Sequence, residues 1–168
     1  TGELFEETGS ACYVTQDDAF IYTANYHEGS ILIYRKEPGG ITLYKRIETG
    51  YKAGCHQILF HGRIMMVPCL LRDRVLLFDM DRDFAEAGSI TFPKGTGPRH
   101  GVFDQAHKRF FLVSELSNEL FLYEAGDGPQ FTLKSVQKLL PEGRVWSPAA
   151  ISAAIRLSPD AVSYTHLR

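Results

Sequence analysis

The sequence contains no apolar run that approaches the roughly 18 to 20 residues needed by a membrane-spanning helix. It also contains no run of like charge, since 18 basic and 20 acidic residues are interspersed and the net charge is −2. A nucleic-acid binder or a membrane-surface protein would show a basic patch. Glycine and proline, at 15 and 8 of 168 residues, are near average, which excludes collagen-like and low-complexity chains. We therefore expect a globular chain without a nucleic-acid or membrane partner.

The sequence has only three cysteines, Cys12, Cys55 and Cys69, and they are widely spaced without a CxxC motif. This usage argues against a disulfide framework or a zinc knuckle, and it favours a reducing compartment, the cytoplasm. His27-Glu28 begins like the zinc motif HExxH, but Ile31 stands where the second histidine should be. No P-loop, GxGxxG or GxSxG motif occurs. We expect neither a metal nor a cofactor.

Both ends of the sequence suggest a fragment. Position 1 is Thr rather than Met, and residues 161–168 continue no pattern found upstream. We expect residues 1–160 to form one partial domain and residues 161–168 to be a non-native tail. The alternative for the tail is an ordinary ragged C-terminus.

A repeat organises the middle of the chain. The segments Tyr22–Tyr34, Met66–Phe78 and Phe111–Tyr123 align without gaps, and their closing aromatic residues are 44 and 45 residues apart. Each segment reads as an apolar strand, a polar turn and a second apolar strand. A strand-rich period of about 40 to 50 residues is typical of β-propeller blades.

Two further strands complete each repeat. An innermost strand is predicted at His56–Phe60 and again at His100–Phe103, and an outer strand at Ile41–Ile47 and again at Phe131–Val136. Four antiparallel strands per repeat match a propeller blade. The sequence therefore predicts an all-β chain of about three and a half blades, half of a seven-bladed ring.

Propeller topology predicts which side chains reach the central channel. The start of an innermost strand and the end of the second strand lie on the same rim, because the two strands are antiparallel. His56 and Arg99 take the first position in successive blades, and Glu115 takes the second, where Tyr26 and Leu70 stand in sibling blades. We expect His56, Arg99 and Glu115 to converge. The alternatives are a structural histidine, a blade-capping arginine and a solvated loop acid.

Several strings resemble the lactonase family of seven-bladed propellers, which includes 6-phosphogluconolactonases and carboxy-muconate cyclases. The strings are Ala24–Ser30, Gly97–His100, Ser114–Ser117 and Ala153–Asp160. The resemblance implies site residues at His56, Arg99, Glu115 and Arg156, with Asn25, His27 and His100 binding substrate. Departures from the family pattern occur at Ser114, at Cys69-Leu70-Leu71 and at Ala154, and they bear more on substrate identity than on the site.

The resemblance implies lactone hydrolysis, with 6-phosphogluconolactone as the expected substrate and glucose metabolism through the pentose phosphate pathway as its setting. Water attack needs a general base and a group that stabilises the oxyanion. Glu115 or His56 would act as the base, and Arg99 and Arg156 would bind the anionic substrate. The fragment alone is expected to be inactive. Two alternatives are a muconate-type lactonizing cyclase and a non-catalytic binding platform. The sequence makes no prediction of oligomeric state.

Overall fold

The chain forms consecutive antiparallel sheets, as predicted. A computed structural model describes residues 10–140 and 151–158, together with the backbone of residues 164–167. Three four-stranded sheets follow one another, each with its strands in sequence order, and a two-stranded sheet comes last. We call the four-stranded sheets blades 1, 2 and 3. Three blades and half of a fourth confirm the predicted partial propeller.

The strands have the following bounds. Blade 1 contains β1 (Ala11–Gln16), β2 (Phe20–Asn25), β3 (Ser30–Glu37) and β4 (Gly40–Glu48). Blade 2 contains β5 (Leu59–His61), β6 (Ile64–Cys69), β7 (Arg74–Asp79) and β8 (Ala85–Thr91), with single 3₁₀ turns at Leu70–Arg72 and Met80–Arg82. Blade 3 contains β9 (Pro98–Phe103), β10 (Arg109–Ser114), β11 (Glu119–Ala125) and β12 (Phe131–Lys138). The last sheet pairs β13 (Ala154–Leu157) with β14 (Tyr164–Leu167).

The middle strands of blade 2 are apolar because blades 1 and 3 cover their two faces. Every residue of β6 is buried. Met65 and Val67 pack into the core between blades 1 and 2, whereas Ile64 and Met66 pack into the core between blades 2 and 3. The outer strand β12 is mostly exposed. A strand buried on both faces therefore reads as a continuous apolar run, and an exposed one does not.

The innermost strand of blade 2 differs from the prediction. It was expected at His56–Phe60, but β5 covers only Leu59–His61, and an isolated bridge joins Cys55 to Cys69 before it. The pairing register changes by one residue between Cys55↔Cys69 and Leu59↔Met66, which interrupts the strand. Within the interruption, the Gln57 side chain reaches blade 3. Gly101 N–H donates to Gln57 Oε1 at 2.7 Å, and Gln57 Nε2 donates to the Gly101 carbonyl at 3.2 Å.

The predicted tail lies only partly within the described residues. β14 pairs with β13 in antiparallel register from Ala154↔Leu167 to Leu157↔Tyr164. Residues 159–163 and 168 lie outside the described part, so the non-native origin of residues 161–168 stays a prediction. None of the described residues forms a helix that could cross a bilayer.

Candidate functional site

An ion pair between Arg99 and Glu115 forms the centre of the candidate site. Arg99 is the second residue of β9, and Glu115 follows the last residue of β10 directly. Arg99 Nε lies 2.5 Å from Glu115 Oε2, and the two side chains are only 19% and 18% exposed. Partial burial strengthens such a pair because less water screens the two charges.

The loop before β9 holds Glu115 in place. The backbone N–H of Glu115 donates to the Gly97 carbonyl at 2.8 Å. The Asp73 carboxylate in turn accepts from Gly97 N–H at 2.8 Å and from Gly95 N–H at 2.9 Å. Gly97 has φ +66°, and a Cβ there would lie 2.7 Å from Leu116 Cγ, so only glycine fits without strain. The position of the carboxylate thus depends on contacts that reach back to blade 2.

Arg99 also contacts the sheet that follows blade 3. Its Nη1 donates to the backbone carbonyl of Ala153, the residue before β13. A guanidinium group is planar and rigid, so the ion pair with Glu115 and the hydrogen bond to Ala153 together fix its orientation. The guanidinium group therefore leaves little freedom for Glu115 to move relative to Arg99.

His56 lies beside this pair, at the start of the innermost segment of blade 2. Its backbone N–H donates to the Pro68 carbonyl at 3.0 Å, and its ring meets the Tyr26 ring edge-on with centroids 5.9 Å apart. Burial lowers the pKa of His56, and the positive charge of Arg99 lowers it further, although Glu115 opposes the shift. The imidazole is therefore neutral at pH 7 and able to accept a proton.

His100 and Arg156 complete the predicted set on the side of β13. Burial, together with the charges of Arg99, His56 and Arg156, lowers the pKa of His100 to about 4. Arg156 is exposed, and none of the described residues forms an ion pair with it. The structure thus places one cation, Arg99, inside the site and a second, Arg156, at its solvent-facing edge.

Asn25 and His27 lie less directly at the site. Asn25 is only 1% exposed, and its amide donates to Ser30 Oγ at 3.3 Å within its own hairpin. His27 is exposed, and its ring meets Tyr26 edge-on at 5.1 Å. These side-chain contacts are local to the β2–β3 hairpin, so the predicted contact of both residues with substrate stays a prediction.

Tyr26 is the residue that the sequence analysis did not select. Its ring contacts both His56 and His27, and the nearby Glu115 charge adds to burial in raising the pKa of its phenol. A signal was present, since Tyr26 occupies the repeat position of Glu115. From the sequence alone, this correspondence indicates only that the position does not need a carboxylate.

The arrangement combines three chemical capacities on one rim. A neutral imidazole and a carboxylate can each accept a proton, and guanidinium groups can bind an anion or stabilise an oxyanion. The described residues contain no group of three or more His, Cys, Asp or Glu side chains able to hold a metal ion. The chemistry available to these residues is general acid–base catalysis with cationic stabilisation.

Comparisons with known proteins agree with this architecture. The family described as "Lactonase, 7-bladed beta-propeller" matches residues 1–164. A curated relative from Klebsiella pneumoniae (strain ATCC 700721 / MGH 78578), named 6-phosphogluconolactonase, is 29% identical over 164 residues, which cover 90% of this chain and 48% of the relative. The chain thus spans about half the length of the curated relatives that it matches.

Solved structures show the same fold. A Lactobacillus plantarum protein superposes with a TM-score of 0.80 at 24% identity, covering 93% of this chain and 51% of its own. The periplasmic gluconolactonase of Pseudomonas aeruginosa superposes with a TM-score of 0.73 at 18% identity, covering 85% of this chain and 45% of its own. With the family match over nearly all residues, the chain belongs to the lactonase family of seven-bladed β-propellers.

Proposed function

We propose that the propeller to which these blades belong hydrolyses a sugar lactone, and that its substrate is 6-phosphogluconolactone. The observation that carries this proposal is the partly buried ion pair of Arg99 and Glu115 beside His56, whose lowered pKa leaves it neutral. The name of the Klebsiella pneumoniae relative supports the choice of substrate. The family description supports the choice of reaction.

The proposed mechanism begins with the attack of water on the lactone carbonyl carbon. Glu115 or His56 accepts a proton from this water, and the carbonyl oxygen becomes an oxyanion in the tetrahedral intermediate. Arg99 stabilises that oxyanion by charge and hydrogen bonding. The bond from the carbonyl carbon to the ring oxygen then breaks, and the ring oxygen becomes a hydroxyl by taking the proton that the base accepted from water. The product is the open-chain acid.

The second arginine has a separate role in this proposal. Arg99 already donates to Ala153 and pairs with Glu115, whereas none of the described residues forms an ion pair with Arg156. Arg156 would bind the phosphate of the substrate through two parallel hydrogen bonds. His100, neutral because of its lowered pKa, would donate or accept a hydrogen bond to the sugar hydroxyls, and Asn25 and His27 would support the same face. Such a substrate would place the protein in the pentose phosphate pathway, in the cytoplasm.

The decisive experiment measures the hydrolysis of 6-phosphogluconolactone above its uncatalysed rate. Two proteins should be assayed, the 168-residue chain and the product of the longest natural reading frame that contains it. In an active form, Glu115→Gln and His56→Ala test the two candidate bases. The variant that removes the base should lower kcat by about 10² to 10⁴-fold.

Matched controls keep the same chemical changes away from the site. Glu124→Gln alters an exposed carboxylate that pairs with Lys134, and His107→Ala alters an exposed imidazole on the opposite rim. Both controls should retain full activity. Rates within about twofold of the parent for both Glu115→Gln and His56→Ala would remove the proposed assignment. Turnover of a carboxy-muconate but not of the lactone would instead support the cyclase reaction.

A further inference from the structure

Two of the three cysteines lie directly opposite each other beneath the rim that carries His56. Cys55 and Cys69 form an isolated antiparallel bridge, and their sulfur atoms are 3.6 Å apart. Both are free thiols with 0% exposure. The sequence separation of 14 residues gave no indication of this contact, because it depends on how the innermost segment of blade 2 meets β6.

The backbone around the two cysteines has the geometry of a cross-strand disulfide. The N–H of His56 donates to the Pro68 carbonyl and the N–H of Leu70 to the Gly54 carbonyl, both at 3.0 Å. These bonds flank the cysteines and make them a non-hydrogen-bonded pair, in which Cα atoms lie about 4.5 Å apart. Disulfides span Cα separations of roughly 4.4 to 6.8 Å. Bond formation therefore needs side-chain rotation but no rearrangement of the strands.

The pair of cysteines is specific to blade 2 among the described blades. The same register recurs as Ala11↔Asn25 in blade 1 and as Pro98↔Ser114 in blade 3. Neither of these blades places a thiol at either position of the bridge. Blade 2 is thus the one of the three described blades in which both positions carry a thiol.

The two thiols are not equivalent. The hydrogen bond between the two thiols lowers the pKa of Cys55, and the Arg72 charge acts in the same direction. Thr49 Oγ1 also lies 2.9 Å from Cys55 Sγ. The hydrogen bond between the two thiols, together with burial, raises the pKa of Cys69. Because the thiolate is the reactive form, these contacts favour Cys55 as the nucleophile of the pair and Cys69 as its resolving partner.

We propose that Cys55 and Cys69 form a dithiol site that hydrogen peroxide oxidises to a disulfide. The Cys55 thiolate attacks one peroxide oxygen, the O–O bond breaks, and hydroxide leaves, giving a sulfenic acid at Cys55. The Cys69 sulfur then attacks the Cys55 sulfur, forms the S–S bond and releases water. The two thiols together lose two electrons and two protons, and one peroxide is reduced to two waters.

The disulfide would act directly on the backbone that positions His56. Cys55 precedes His56, and Cys69 ends β6, so the bond would join the innermost segment of blade 2 covalently to its second strand. Cys12 stays outside the pair, since its thiol donates to the Cys55 carbonyl at 3.0 Å. This proposal concerns the thiols alone and does not rest on the lactonase activity.

The test uses the Cys12→Ser variant in the longest natural reading frame, with every additional cysteine beyond this sequence also changed to serine. Cys12 is exposed and would react with peroxide by itself, so its removal leaves Cys55 and Cys69 as the reporters. After treatment of the folded protein with hydrogen peroxide, thiols are counted in denaturant and the intact mass is measured. We expect the count to fall from two to zero, the mass to fall by two hydrogens, and peptide mapping to join Cys55 to Cys69.

A second pair of variants tests the order of the two steps. Adding Cys69→Ser removes the resolving thiol, so dimedone should label a sulfenic acid at Cys55. Adding Cys55→Ser removes the nucleophile, and labelling at Cys69 should be at least fivefold lower.

Three results would overturn the proposal. One is retention of both thiols in the folded protein under peroxide that oxidises them in denaturant. Another is oxidation to sulfinic acid without a crosslink. The third is equal dimedone labelling of the two single-cysteine variants. Circular dichroism of each variant before treatment establishes that the labelled protein is folded.

Discussion

At the scale of single residues, the two arginines of the candidate site differ in their surroundings. Arg99 is bound to Glu115 and to the Ala153 carbonyl, so its orientation is fixed before any substrate arrives. Arg156 is exposed and is not ion-paired to any residue in the described part of the chain. A cation held in place before the reaction can stabilise negative charge that develops in the transition state. An exposed cation without an ion-pair partner can bind a charged group that the substrate already carries.

This division predicts a selective effect of Arg156→Ala. The KM for 6-phosphogluconolactone should rise about 10- to 100-fold, because a charge-assisted hydrogen bond to the phosphate is lost. The KM for unphosphorylated gluconolactone should change less than about threefold. Steady-state kinetics on both lactones measures the difference, and Arg63→Ala, on an exposed arginine paired with Asp79, is the matched control. An equal rise for the two lactones would show that Arg156 does not read the phosphate.

His100 predicts how stability should depend on pH. Its pKa is about 4 in the folded chain and about 6.5 when unfolded, so the unfolded state binds more protons between these values. The free energy of unfolding should therefore fall as the pH drops from about 6.5 to 4. After allowance for partial exposure of the ring, His100 contributes about 1 kcal/mol to this loss.

The measurement is urea unfolding at pH 7 and pH 4.5, compared between the parent and His100→Asn. The variant should lose less stability on acidification, because asparagine does not titrate. If His100→Asn and the parent lose the same free energy, His100 is not held neutral by the fold.

At the scale of elements, the innermost strand of blade 3 depends on a side chain of blade 2. Gln57 is 4% exposed and forms hydrogen bonds with both the N–H and the carbonyl of Gly101. Position 101 requires glycine, because a Cβ there would lie 2.4 Å from the Phe110 ring.

Gln57→Ala should lower the free energy of unfolding by about 2 to 4 kcal/mol. Both polar groups of Gly101 would be left buried without a partner, each at a cost of about 1 to 3 kcal/mol. Urea unfolding monitored by circular dichroism tests this value. Gln137→Ala, on the exposed strand β12, should change stability by less than about 0.5 kcal/mol. A similar small effect for Gln57→Ala would mean that water replaces the amide.

The elements also show how far the sequence predicts this structure. The repeat of closing aromatics at Tyr34, Phe78 and Tyr123 is local and regular, so it predicted the β2–β3, β6–β7 and β10–β11 hairpins. The Gln57–Gly101 contact joins residues 44 positions apart and has no counterpart in the repeat. That is why the break at the start of β5 was missed.

The same distinction holds for the site. Strand direction alone predicted that Arg99 and Glu115 lie on one rim, since each blade places its strand ends there. It could not predict that Arg99 also bonds to Ala153, or that Cys55 meets Cys69. Those contacts depend on side-chain orientation and on a break in one strand. The roles of the site residues stay predictions.

At the scale of the whole molecule, stability should follow the number of blades that cover each strand. β6 lies between two apolar cores, one shared with blade 1 and one with blade 3. β12 is exposed and pairs only with β11 in the described chain. Repeat architectures gain stability from contacts between neighbouring units.

Hydrogen exchange followed by mass spectrometry should show this gradient directly. Amides of β6 should exchange at least about 100-fold more slowly than amides of β12, because their opening requires disruption of both inter-blade cores. β10, which packs against blade 2 on one side and β13 on the other, should resemble β6. Equal protection of β6 and β12 would show that the sheets open together as one unit.

The hydrogen bonds between Gln57 and Gly101 of the next sheet also determine where this chain could be divided or recombined. A cut placed at the boundary between the second and third sheets would leave Gly101 with two unsatisfied polar atoms, even if each sheet stayed whole. A module that contains the third sheet must therefore start before residue 57, in the connection between the first and second sheets. It then carries Gln57 together with β9, the strand that Gln57 supports. Chimaeras of lactonase propellers joined on the two sides of this residue should differ sharply in their yield of folded protein.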